Sequence, residues 1–117
     1  MIILALGSNL SSIYGDRYQN IDLALIQLGK YGIIITKKSS FYETPSYPNK
    51  KDPKFINVVI EVDSGLPPED LASVLLFIEE KLGRKRLKKN DPRTCDIDII
   101  DFKGKVLNFT YNKLIFT

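Results

Sequence analysis

The spacing of apolar residues changes from block to block along the chain, and each change marks an element. Ile2 to Leu6 is an unbroken apolar run, which suits a central strand covered on both faces or a short buried helical segment. Gly7, Ser8 and Asn9 end it, either as a simple turn or as a place where backbone approaches a ligand. From about Asp16 to Leu28, Tyr18, Ile21, Ala24, Leu25 and Leu28 recur at helical spacing, and Gly29 supplies a stop. Leu23 and Ile26 lie outside that stripe, free to meet a loop or a partner. Ile33 to Tyr42 is rich in β-formers and reads as one long, bent strand.

The proline-rich stretch from Glu43 to Lys54 then forms a long loop of the kind that carries function or makes a disordered excursion. Phe55 to Val62 alternates strictly: Ile56, Val58, Ile60 and Val62 share the core face, and Phe55, Asn57, Val59 and Glu61 share the other. Phe55 and Asn57 are open to two readings, a packed ring beside a satisfied amide or an aromatic and amide surface for a ligand. Asp63, Ser64 and Gly65 turn the chain. Pro67, Pro68, Glu69 and Asp70 then open a helix, with prolines and acids at its positive end. Leu71, Val74, Leu75, Ile78 and Leu82 are its buried stripe, and Gly83 ends it. A final strand from Thr94 to Phe102 leads through Lys103 and Gly104 into a hairpin with Val106 to Phe109.

Strand, helix, strand, strand, helix, strand is the order of an α+β, ferredoxin-like (βαββαβ) sandwich. The expected architecture is an antiparallel sheet with both helices on one face, plus a small C-terminal hairpin. The other face is then free, and Phe55, Asn57, Asp96 and Asp98 point to it if the alternation holds.

At 117 residues the chain has room for a single domain, residues 1–117, with one core. Histidine is absent. That removes the commonest general base, the histidine-activated nucleophiles and nitrogen-ligated metals. The lone cysteine excludes an internal disulfide and cysteine-rich metal sites, and Cys95 alternates with the apolar set as a small buried hydrophobe. Met1 to Leu6 is too short for a signal peptide or membrane span, so the expected setting is cytoplasmic, without membrane association. Net charge is a mild +3, but six of the seventeen cations fall between Arg84 and Arg93. Such clustering points to a local anionic ligand rather than a nucleic-acid-coating surface.

That basic run leads directly into Asp96-Ile97-Asp98. On a strand the two carboxylates share a face roughly 7 Å apart at the Cα atoms. Singly, a basic run is a wet loop and Asp-x-Asp a solvated strand face. Together they match what a polyphosphate carried on Mg²⁺ or Mn²⁺ requires, oxygen ligands on one side and cations on the other.

These residues resemble the 6-hydroxymethyl-7,8-dihydropterin pyrophosphokinase family of folate biosynthesis. The likeness runs through Ala5-Leu6-Gly7-Ser8-Asn9-Leu10, Ser40-Phe41-Tyr42-Glu43-Thr44-Pro45 and Phe55-Ile56-Asn57-Val58. It continues through Ile78-Glu79, Leu82-Gly83-Arg84 and Arg86 to Pro92-Arg93-Thr94-Cys95-Asp96-Ile97-Asp98-Ile99-Ile100. The resemblance implies transfer of pyrophosphate from ATP to the hydroxymethyl group of the reduced pterin, releasing AMP, with two Mg²⁺ ions. It implies Asp96 and Asp98 as metal ligands, with Asp98, Arg84 and Arg93 catalytic. Glu79, Arg84, Arg86 and Arg93 would bind nucleotide, and Gly7, Ser8, Thr44, Pro45, Phe55 and Asn57 the pterin, with Phe55 stacking on the ring. The implied partners are these small molecules, with no nucleic acid, and the protein is expected to be a monomer or weak homo-oligomer.

The chain departs from the family pattern at Asp91, where Gly or Ala is usual, at Asn90, where an aromatic is common, and at Tyr47, where a smaller apolar residue is usual. It also ends before a C-terminal portion that family members carry, and reads as cut. Weakened nucleotide binding and reduced or absent turnover are expected of these residues alone. The competing reading is a non-catalytic basic module gripping RNA or a nucleotide. An RNA reader needs exposed aromatics among cations on the open face, where this chain places two aspartates.

Overall fold

The computed structural model describes residues 1–45, 54–83 and 94–104, and the backbone of 109–111 and 114–116. Five strands form one antiparallel sheet: β1 (Ile2–Ser8), β2 (Ile34–Lys38), β3 (Tyr42–Thr44), β4 (Phe55–Asp63) and β5 (Asp96–Phe102). Their order is β2-β4-β1-β5, with β3 also paired to β4. Two helices, α1 (Arg17–Lys30) and α2 (Pro68–Lys81), complete this α+β unit. A separate two-stranded antiparallel sheet joins β6 (Phe109–Tyr111) to β7 (Leu114–Phe116). The expected pairing partner of β5, Val106 to Phe109, falls largely on residues 105–108, outside the described residues.

The alternation read from the sequence produces the core. Ile2, Leu4 and Leu6 of β1 and Ile56, Val58, Ile60 and Val62 of β4 are buried. They pack with Ile97 and Phe102 of β5, with Ile21, Ala24 and Leu28 of α1, and with Leu71, Leu75 and Ile78 of α2 in one cluster. Each fully buried Leu or Ile contributes about 1.5–3 kcal/mol, so the two-residue period of the strands decides which sheet face the helices cover. Neighbouring positions facing the other way, Ile3, Ala5, Asn57, Val59 and Glu61, remain half-buried.

Local chemistry sets the helix ends. Asp16 caps α1 by accepting from Gln19 N at 2.9 Å, and Gln19 Oε1 accepts in return from Asp16 N at 2.8 Å. That reciprocal pair satisfies two backbone donors that no helical carbonyl reaches. The expected stop at Gly29 is corrected, because α1 runs on to Lys30 and the left-handed turn falls at Gly32 (φ 76°). α2 opens with Pro68 in its first turn, Leu82 caps its end, and Gly83 follows at φ 93°. Leu23 packs against the core, whereas Ile26 is exposed.

The expected long strand from Ile33 to Tyr42 is also corrected. It is two strands, both on β4, interrupted at Ser39–Phe41. The register of β2 on β4 slips between Ile35 and Lys37, and the Ser39 hydroxyl then takes the Val59 N–H at 2.9 Å. A side chain substitutes for the backbone acceptor there, so the ladder breaks and restarts at Tyr42.

A second irregularity lies in β5. Leu4 faces Ile99 but Ile3 faces Asp101, leaving Ile100 as an extra residue, 62% exposed. This bulge moves Asp101 onto the face that already carries Asp96 and Asp98, while Phe102 returns to the core.

Candidate active site on the open sheet face

Gly7 is the centre of the site because it pairs with Asn57 on one side and Asp96 on the other. The next row along the sheet places Ala5 between Val59 and Asp98. Residues directly opposite on neighbouring strands share a face, and strands lie about 4.8 Å apart. The amide and the acids therefore flank a floor of small residues roughly 10 Å wide. Over this floor opens a pocket of ≈ 240 Å³, lined by Gly7, Thr44, Phe55, Asn57, Asp96 and Asp98 together with Ala5 and Leu6.

The absence of a side chain at Gly7 keeps the pocket open. A Cβ there would stand 3.0 Å from Asn57 Oδ1 and 3.3 Å from Phe55 Cδ1. The first distance is well inside ordinary carbon-oxygen contact, so a methyl at residue 7 would displace the amide or the ring.

Asn57 is held from the side of β3. Its Nδ2 donates to Thr44 Oγ1 at 2.9 Å, to Tyr42 O at 3.3 Å and, at the limit of range, to Phe55 O at 3.5 Å. The short strand β3 brings those acceptors into place by pairing Tyr42 with Asn57 and Thr44 with Phe55. Pro45 follows β3, is exposed, and is not among the residues lining the pocket.

Asp96 is half-buried and Asp98 exposed, and both face the pocket from β5. Among the described residues no group of three His, Cys, Asp or Glu side chains stands close enough to hold a metal ion. A pair of carboxylates on a strand fits a hard ion that completes its shell with water and phosphate oxygens, as Mg²⁺ does. Arg84, Arg86 and Arg93 lie outside the described residues.

Two of the polar residues named from the sequence are buried. Ser8 continues the buried parity of Leu4 and Leu6, so its hydroxyl faces α1 rather than the pocket, 3.3 Å from Asn20 Nδ2. Glu79 lies on the buried side of α2. It is 3% exposed, and its Oε2 accepts from Ile97 N at 2.6 Å.

Asn20 was missed altogether. Fully buried, it donates to Leu10 O at 2.9 Å and accepts from Ser12 Oγ at 2.5 Å, tying the loop after β1 to α1. The available signal was an asparagine beside the apolar stripe of α1, a position that requires buried partners.

The small-residue floor between an aromatic and amide wall and a carboxylate pair has the shape and chemistry to take a flat ring beside a metal-associated anion. The chain belongs to the 7,8-dihydro-6-hydroxymethylpterin-pyrophosphokinase (HPPK) family, whose pattern it matches over residues 3–115. It is 40% identical to the mitochondrial folate synthesis bifunctional protein of Pisum sativum, over 89% of this chain and 19% of that protein. With the 2-amino-4-hydroxy-6-hydroxymethyldihydropteridine pyrophosphokinase of Bacillus subtilis it shares 36% identity, over 85% of this chain and 58% of that enzyme. The Aquifex aeolicus enzyme of the same name is 33% identical over 91% of this chain and 63% of its own length. The chain thus spans about a fifth of the bifunctional relative and about three-fifths of the single-function ones.

Proposed function

We propose that this protein transfers pyrophosphate from ATP to 6-hydroxymethyl-7,8-dihydropterin, giving the pterin diphosphate and AMP, as a step of folate biosynthesis. The observation that carries the reading is the shared row Asn57, Gly7, Asp96, which puts a ring-sized floor beside a carboxylate pair. Family membership supplies the reaction, and the matched relatives are named for it.

In this reading the pterin lies on Gly7 and Ala5, against Phe55, with its polar edge toward Asn57. The hydroxymethyl group then points along the floor toward β5. Asp96 and Asp98 would hold two Mg²⁺ ions, which when bound supply positive charge to the triphosphate and orient it for attack. The carboxylates give those ions a fixed address next to the acceptor hydroxyl, and most of the rate enhancement is positioning and charge stabilisation. Arg84, Arg86 and Arg93 are assigned to the phosphates on the sequence pattern alone. Glu79 is assigned to the strand that carries the acids, where its Oε2 accepts from Ile97 N, and a nucleotide contact would fall to the rest of its carboxylate.

The sheet order β2-β4-β1-β5 and the two helices support reading the fold as the ferredoxin-like split βαβ arrangement, with residues 1–117 as one domain. Among the described residues no helix is long and apolar enough to cross a membrane. A cytoplasmic setting and a monomeric or weakly associating protein complete the proposal.

Calorimetric titration of the purified protein tests it. Binding of the reduced pterin, and of a non-hydrolysable ATP analogue only when Mg²⁺ is present, is the expected result. RNA binding that weakens with salt and ignores Mg²⁺, with no pterin uptake, would overturn the proposal in favour of a nucleic-acid module.

A further inference from the structure

Building on the pterin reading, we infer that Thr44 is a positioning residue. Its hydroxyl fixes the Asn57 amide so that the pocket wall presents an oxygen, and the site therefore selects heterocycles that offer an N–H donor at that edge.

An asparagine side chain can turn either its oxygen or its nitrogen toward a ligand, and the two orientations recognise opposite partners. Here the choice is made from the β3 side of the pocket. Three acceptors converge on Nδ2: Thr44 Oγ1 at 2.9 Å, Tyr42 O at 3.3 Å and Phe55 O at 3.5 Å. Reversing the amide would face its oxygen with two backbone carbonyls, neither of which can donate. Oδ1 consequently points across the sheet toward Gly7, 3.0 Å from where a Cβ on that residue would stand. The shortest of the three bonds is the one to Thr44, the only partner that substitution can remove.

Thr44 therefore acts through Asn57. Thr44→Val keeps the shape and removes the acceptor. Thr44→Ser keeps the acceptor and removes the methyl.

The test uses the purified protein, titrated with reduced pterin and separately with Mg²⁺ and an ATP analogue. Loss of one neutral hydrogen bond predicts about 3–10-fold weaker pterin binding in Thr44→Val. The expected pattern adds recovery to within about twofold in Thr44→Ser, and unchanged nucleotide affinity. A double-mutant cycle isolates the coupling, because in an Asn57→Ala background Thr44→Val should add nothing. Full persistence of its effect there, or wild-type pterin affinity in Thr44→Val, overturns the inference. A second arm needs no ligand: the Asn57 side-chain NH₂ protons, followed by NMR, should exchange with solvent several-fold faster in Thr44→Val than in wild type, and equal rates also overturn it. Faster exchange with no pterin uptake by the wild-type protein would uphold Thr44 as the amide's anchor while rejecting the pterin reading.

Discussion

Glu79 on α2 accepts a hydrogen bond at 2.6 Å from the backbone N–H of Ile97, the residue between Asp96 and Asp98. β5 ends the order β2-β4-β1-β5, so among the described residues an N–H on its outer side has no sheet partner. A buried carboxylate supplies the missing acceptor, and it does so directly beneath the pair of acids. Helix packing is thereby linked to the alignment of the site.

Glu79→Ala should destabilise the fold by about 1–3 kcal/mol, since it leaves the Ile97 N–H buried without this acceptor. Glu79→Gln keeps a carbonyl oxygen in reach and should lose less. Urea denaturation checks this through the midpoint at constant slope, and equal losses in the two variants would mean that the carboxylate's role is not acceptance from Ile97.

In a full-length protein, Asp98→Ala should lower pyrophosphoryl transfer by at least about 100-fold, or roughly 3 kcal/mol, and weaken the Mg²⁺-dependent binding of nucleotide. Asp101→Ala is the matched control. Asp101 faces the same side of the sheet but lies outside the pocket lining, where its Oδ1 accepts from Gly104 N at 3.2 Å. Comparable losses of transfer in the two variants would show that general negative charge on this face, rather than the pocket pair, sets activity.

Gly7→Ala should weaken pterin binding by about 10-fold or more while leaving the folded structure in place. The added methyl meets Asn57 Oδ1 and Phe55 Cδ1 at the pocket, not the core. Far-ultraviolet circular dichroism and pterin titration together separate the outcomes. Unchanged affinity would place the ring elsewhere.

Asn20→Ala should cost about 1–3 kcal/mol, because Ser8 Oγ, Ser12 Oγ and Leu10 O all lose a partner in or near the core. Asn20→Asp should be similarly poor, since an oxygen replaces the donor that faces Leu10 O. Thermal unfolding of both variants checks this.

Much of the arrangement was readable in the sequence because it follows from parity. Strict alternation in Ile56 to Val62 and Cys95 to Ile99 fixed which residues line the core, and so placed Asn57, Asp96 and Asp98 on the opposite face. The same parity turns the Ser8 side chain toward the core with Leu6, which the reading of Gly7 to Asn9 as a backbone approach did not address. The break at Ser39 and the bulge at Ile100 were not readable, since each depends on one side chain or one extra residue in a register that only pairing reveals. The burial of Glu79 and Asn20 was not readable, because polar residues on helices usually face water and only tertiary partners justify their burial.

β3 joins β4 separately from β2, beyond the interruption at Ser39–Phe41. Because the two pairings are separate, a change of length at Ser39–Phe41 would alter the approach to Thr44 without altering the register of β2 on β4. Variation in that connection would therefore reach the lining of the open sheet face before it reached the edge that β2 forms.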